Sequence, residues 1–214
     1  MQISWNGLGS FTIVAKPAQG DVTVVTDPYD NATGLRFPRT LAASLVVESH
    51  KGKEASNVEA IAGEESKKPF VVDYPGEYEV KGVFVYGMSV PKKDGSDHTI
   101  YRLTAEGIRI GFLGALDRVL TDKEIERLGT IDVLIVPVGG GKVLSKTSAN
   151  EIVAQIEPRM VIPSYYETPG LKEKFDDVDG FCKELSCPRE DVGKLKLTKS
   201  ALPEDDIKIV VLTR

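Results

Sequence analysis

Leu45-Val46-Val47-Glu48-Ser49-His50-Lys51-Gly52-Lys53-Glu54-Ala55-Ser56-Asn57-Val58-Glu59 is the stretch on which the fold turns. It opens on a short continuous apolar run, the pattern of a strand buried on both faces. It closes on Ser56-Asn57-Val58-Glu59, which has the capping-box form. In that form a Ser hydroxyl and a Glu carboxylate satisfy free amides at a helix start. The expected order is buried strand, loop, helix, with His50 in the loop. Open α/β sheets hold their ligands at such places.

Working outward, the first ~115 residues read mainly as strands, by alternation and β-branched content. Met1 to Trp5, Phe11 to Ala15 and Val22 to Thr26 precede the central stretch. Phe70 to Val72, Glu77 to Val80, Val83 to Val90 and Thr99 to Leu103 follow it, joined by Pro75-Gly76 and Asp94-Gly95 turns. Beyond them, strands Ile108 to Leu113, Val133 to Val138 and Met160 to Pro163 alternate with helical segments. Thr121-Asp122-Lys123-Glu124 and Ser148-Ala149-Asn150-Glu151 read as further capping boxes. A last helix is expected over Val178 to Leu185 and a last strand over Ile207 to Leu212. Two facing mixed sheets with helices outside, an αββα sandwich of class α/β (α+β), satisfy this order. No stretch has the composition of a linker, so one domain over residues 1–214 is expected.

Composition narrows the function. Of 214 residues, 41% are hydrophobic and 28% charged, and the net charge is -5. Nucleic-acid binding is not expected from an acidic chain without a basic stripe; Lys92-Lys93 and the run Lys194, Lys196, Lys199 read as solvated faces. No apolar run approaches the ~18 residues that span a bilayer, and no secretory leader is legible, so a cytoplasmic location is expected. Cys182 and Cys187, at i, i+5, would point to different sides of a helix, so no disulfide is expected. His98 follows Gly95-Ser96-Asp97 and is expected to be exposed. With two histidines and no motif partner for either, no Ser-His-Asp set can be argued.

Six segments carry a resemblance. Trp5-Asn6-Gly7-Leu8-Gly9-Ser10-Phe11 resembles W-x-G-H-x-S-F, the opening of the small metallo-β-lactamase-like hydrolases. Thr26-Asp27-Pro28-Tyr29 looks like their D-P-F/Y strand end. Tyr74 to Val80 resembles a P-G-E-Y-E segment, and Ile110 to Leu116 looks like I-x-H-L-G-D-L. Asp132 to Gly140 and Glu157 to Pro163 match two further family strands. The segments keep the expected order from one end of the chain to the other.

The resemblance implies metal-assisted hydrolysis, with zinc held by H-x-H-x-D-H, a later His, a bridging Asp and a last His. Converging donors leave an open position where bound water loses a proton near neutral pH. Against that pattern, His50 keeps the first His. Gly52 stands at the second, Glu54 replaces the Asp, and Ala55 replaces the final His. Phe112 stands at the third-motif His, Ala115 at the bridging Asp, Tyr165 at the last His, and Leu8 at the N-terminal His. A zinc site has three or four protein ligands, so no metal and no cofactor is expected. His50, Glu54, Asp27, Asp117 and Tyr165 are the cleft candidates, with no catalytic residue assigned. The expected function is a metal-free, non-catalytic binding or assembly module for a small molecule or a protein, with homo-oligomerisation conceivable. The second reading is a divergent hydrolase using His50 and Glu54.

Overall fold

In the computed structural model, which describes residues 1–64, 67–186 and 188–214, strands dominate the first half. They are β1 (Gln2–Gly7), β2 (Ser10–Ala15), β3 (Val22–Thr26), β4 (Ala42–Ala43), β5 (Leu45–Val47), β6 (Ala62–Gly63), β7 (Phe70–Val72), β8 (Gly76–Val80), β9 (Val83–Ser89), β10 (Thr99–Ala105) and β11 (Ile108–Phe112). Helices then interleave: α1 (Asp122–Leu128), β12 (Val133–Pro137), α2 (Lys146–Ile156), β13 (Met160–Ser164), α3 (Val178–Leu185), β14 (Arg189–Val192), β15 (Leu195–Lys196) and β16 (Lys208–Leu212).

Two mixed sheets result, a six-stranded one in the order β15-β1-β2-β3-β5-β7 and an eight-stranded one in the order β14-β16-β13-β12-β11-β10-β9-β8. Ile3, Phe11, Val24 and Leu45 of the first share one core with Val85, Ile100, Leu103 and Ile110 of the second. Each such side chain contributes about 1.5–3 kcal/mol on burial. The Tyr101 hydroxyl crosses between the sheets and donates to the Glu48 carbonyl at 2.8 Å. Val25 and Val46 face away from this core and pack with Tyr29, Leu35, Phe37 and Ile61. The three α-helices belong to the second sheet's half of the chain; α2 packs on β12, and α3 on α2. None of the described helices is long and apolar enough to cross a membrane.

Several expectations need correction. The Ser56 signature does not start an α-helix; only a 3-10 turn forms, Val58–Ala60, with no side-chain cap. The Ser56 hydroxyl is engaged backwards, accepting from the Gly52 N–H at 2.9 Å and donating to its carbonyl at 2.8 Å. Ala62 is then drawn into pairing with β4, so the turn has no room to propagate. The helix expected after Ser148 begins one turn earlier, where Ser145 accepts from the Ser148 N–H. Thr121 and Glu124 do form a capping box, and α3 matches its expected bounds. Strands β14 and β15 were not foreseen; the run containing Lys194 and Lys196 pairs partly with β1. Cys182 is buried in α3, while Cys187 lies outside the described residues.

The strand directions create the site. β3 and β5 run parallel, as do β11, β12 and β13. Asp27, the Glu48-Ser49-His50 segment, Gly114-Ala115 and Tyr165 therefore all lie just beyond carboxyl ends of parallel strands, where α/β sheets leave a crevice.

Candidate functional site

The floor of the crevice is a hydrogen-bonded row. Asp27, with no exposed surface, accepts from the Ser49 N–H at 2.7 Å and pairs with the Ser49 hydroxyl at 2.6 Å. That hydroxyl lies 2.8 Å from His50 Nδ1. Two proton arrangements satisfy the row. With Asp27 ionised, Ser49 donates to it and accepts from Nδ1–H, leaving a lone pair at Nε2. With Asp27 protonated at Oδ2, both bonds of the Ser49 hydroxyl reverse, the Ser49 N–H still donates to Oδ1, and Nε2 carries the proton. Burial pushes the Asp27 carboxyl well above the usual carboxylate range, against the pull of both Ser49 bonds. Burial, helped by the Lys92 charge, lowers His50 to about 4.

His98 lies against this row, and its placement overturns the expectation of exposure. It is 1% exposed, its ring 5.9 Å from that of His50 and stacked on it. The following residue explains why: the Thr99 N–H donates to the Ser49 carbonyl at 2.8 Å, tying the start of β10 to the loop after β5. Neither His98 ring nitrogen has a partner among the described residues. Burial first, then the His50 and Lys92 charges, hold its pKa well below the ordinary value.

Three residues here, Leu8, Asp27 and Tyr165, take left-handed backbone, with φ of 52°, 35° and 52°. Side chains other than Gly pay about 1 kcal/mol for that conformation. Surrounding contacts hold them in it: Asp27 through Ser49, and Tyr165 through its ring, 5.8 Å edge-on to Phe175. A Cβ at Gly9 would stand 2.9 Å from Asp27 Oδ2 and 3.0 Å from the Tyr165 hydroxyl, so glycine lets these two groups approach. The Tyr165 hydroxyl is buried without a well-formed hydrogen bond among the described residues; the Gly9 backbone N–H lies near enough to lower its pKa against the larger upward push of burial.

Above the floor opens a cleft of about 490 Å³, walled by Leu8, His50, Ala115, Val143, Tyr165 and Phe175 and rimmed by charge. Its size falls in the range of small-molecule sites. Lys92, Lys53, Lys172, Glu54 and Asp117 reach it. Asp117 accepts from the Lys93 N–H at 3.1 Å, and Lys142 pairs with Glu173 at 2.9 Å.

Of the residues expected at the cleft, His50, Glu54, Asp117 and Tyr165 line it, while Asp27 lies beneath and acts on it through Ser49. The expectation that no Ser-His-Asp set exists also needs amendment. Ser49, His50 and Asp27 do meet, but with the hydroxyl in the middle and Ser49 2% exposed; this orients His50 and offers no nucleophile. Lys92, read as solvated, lines the cleft instead.

The donors present do not fit the zinc that the resemblance implies. Among the described residues no three His, Cys, Asp or Glu side chains are grouped so as to hold a metal ion. Ala55, Phe112, Ala115 and Tyr165, at four expected ligand positions, are all buried.

Comparisons with known proteins agree with this architecture. A family model described as a β-lactamase superfamily domain matches residues 2–165. A Thermotoga maritima protein, a candidate Zn-dependent hydrolase of the metallo-β-lactamase superfamily, is 30% identical with a TM-score of 0.80, covering 99% of each chain. Igni18, a metallo hydrolase from Ignicoccus hospitalis, shares the fold at 15% identity and a TM-score of 0.62, over 99% of this chain and 94% of that one. The UPF0173 protein of Pyrococcus furiosus is 38% identical over 77 residues, 36% of this chain and only 34% of that protein's length. A counterpart in Pyrococcus abyssi is 39% identical over 57 residues, 27% of this chain and 25% of its own length. From its matched residues and its two-sheet fold, this chain belongs to the metallo-β-lactamase superfamily.

Proposed function

We propose that this chain is a metal-independent member of its superfamily that binds a small molecule in the cleft without hydrolysing it. The observation that carries this reading is the packing at the expected ligand positions. Phe112, Ala55, Ala115 and Tyr165 are 0%, 0%, 4% and 1% exposed. Apolar or aromatic groups fill space that a hydrolytic member needs for donors and water. What remains open is a cavity with an apolar inner wall and a heavily charged rim, of a size that takes a small molecule.

Metal analysis after incubation with zinc and dialysis tests it. Less than about a tenth of an equivalent of retained metal is expected, because two scattered donors do not make a tetrahedral site. Stoichiometric zinc, manganese or iron would end the reading.

The Asp27–Ser49–His50 row favours one alternative, a divergent hydrolase with His50 as base and Glu54 beside it. A conjugate acid near 4 makes His50 a weak base at neutral pH, which argues for binding over catalysis. An esterase, lactonase and phosphodiesterase panel on the wild type and His50→Ala separates the two. Activity that vanishes in the variant establishes the hydrolase.

A further inference from the structure

We propose that the cleft ligand carries an oxyanion, a carboxylate or a phosphate, seated against the Lys92 ammonium and His50 Nε2; this rests on the binding reading above and gives it a ligand class. Lys92 is built into the site. Its N–H donates to the Ser96 carbonyl at 3.1 Å, and its carbonyl accepts from the Gly95 N–H at 2.9 Å. That turn fixes the backbone at the cleft mouth and sends the half-buried side chain into the cavity wall.

The Lys92 charge is felt by Asp27, His50 and His98, on three separate segments. Lys92 and His50 line the same cleft. The ammonium makes no ion pair among the described residues. Asp94, whose carboxylate feels the Lys92 charge, is turned to the Ser96 N–H at 2.9 Å, and Asp117 to the Lys93 N–H at 3.1 Å; neither forms an ion pair with the ammonium.

His50 has its Nδ1 taken by Ser49; in the arrangement with Asp27 protonated, which burial of that carboxyl favours, Nε2–H is the donor left for a ligand. An oxyanion offers what these groups lack, a charge for the ammonium and acceptors for the donors. Glu54 lines the same cleft and bounds the ligand: the end facing it is neutral or cationic.

The chain's two histidines make imidazole proton resonances a direct reporter. Inorganic phosphate and, separately, succinate are titrated at fixed pH and ionic strength into the wild type, Lys92→Met and Lys92→Arg. The expected result is a saturable shift of the His50 resonance in the wild type and the Arg variant. In the Met variant the midpoint should weaken at least about tenfold; the dispersed spectrum reports that each variant is folded. No saturable shift with either probe, or an unchanged midpoint in Lys92→Met, overturns the inference. A panel of uncharged fragments keeps the two readings apart. Fragments that move the His50 resonance where oxyanions do not leave the binding reading standing, and silence from both sets sinks both.

Discussion

Acidification should drain stability through His50 by an amount the structure specifies. The folded protein holds this imidazole neutral, with a pKa lowered from 6.5 to about 4, chiefly by burial. The unfolded chain has no such burial, so below its ordinary value it takes up a proton that the folded state refuses. Stability from this group is therefore complete above about pH 6.5 and is lost as pH falls towards 4. Each pH unit of separation is worth about 1.4 kcal/mol, which gives roughly 3 kcal/mol over the full interval. Between about pH 7.5 and pH 5, His50 alone should account for about 2 kcal/mol. The assay is urea unfolding followed by Trp5 fluorescence, since this single tryptophan is buried and packed 4.6 Å from the Tyr166 ring. Comparison with His50→Asn, whose amide can still reach Ser49, cancels the titrations of Asp27 and His98 common to both proteins. The wild type should lose about 2 kcal/mol more than the variant across that range. Equal losses would refute the burial argument.

Asp27→Asn should behave in the opposite sense. A carboxyl whose folded pKa is raised is most stabilising when protonated, so the wild type loses stability as pH rises above the ordinary carboxylate value. The variant's relative stability should grow by up to about 1.4 kcal/mol per pH unit within that window, measured by the same unfolding curves; a flat difference would mean Asp27 is ionised at no cost. Gly114→Ala should destabilise by about 2–3 kcal/mol, because its φ is +54° and the added carbon would collide with Ser49; a thermal midpoint within a degree or so of wild type would contradict the packing. Tyr165→Phe removes a buried hydroxyl that makes no well-formed hydrogen bond among the described residues and has only the Gly9 N–H near it. It should leave the ligand-free protein unchanged or more stable by about 1 kcal/mol, and a clear loss would reveal a bond not accounted for.

The strand pattern was legible because β-branched alternation and turn residues are local properties. Val178 to Leu185 could be read to the residue, since Asp177 caps one end and the apolar spacing runs through the other. Ser56 misled because its hydroxyl found a nearer partner in Gly52, and pairing with β4 then competed with the helix. Motif order singled out His50, Glu54, Asp117 and Tyr165, which line one cleft, yet the chemistry beneath it was not legible. Ser49 and Asp27 meet across 22 positions of sequence, a distance that no local signature encodes. His98 follows polar turn residues, which suggest solvent; the bonds from the Val90 N–H to its carbonyl and from the Thr99 N–H to the Ser49 carbonyl, both 2.8 Å, hold it inside. Lys92 stands in a charged pair, the usual mark of a wetted surface, and its inward turn depends on Gly95 and Ser96.

The packing of Phe112, Ala115 and Tyr165 also bears on how such a chain could change over generations. Introducing one His or Asp at any of these places would bury a polar group with nothing to bind it, at about 1–3 kcal/mol each. A domain with only about 5–15 kcal/mol to spare tolerates one such step, while several must coincide before a cation could reward them. The packing therefore acts as a barrier: each single step towards a metal site lowers stability and brings no ion, so conversion one residue at a time is resisted.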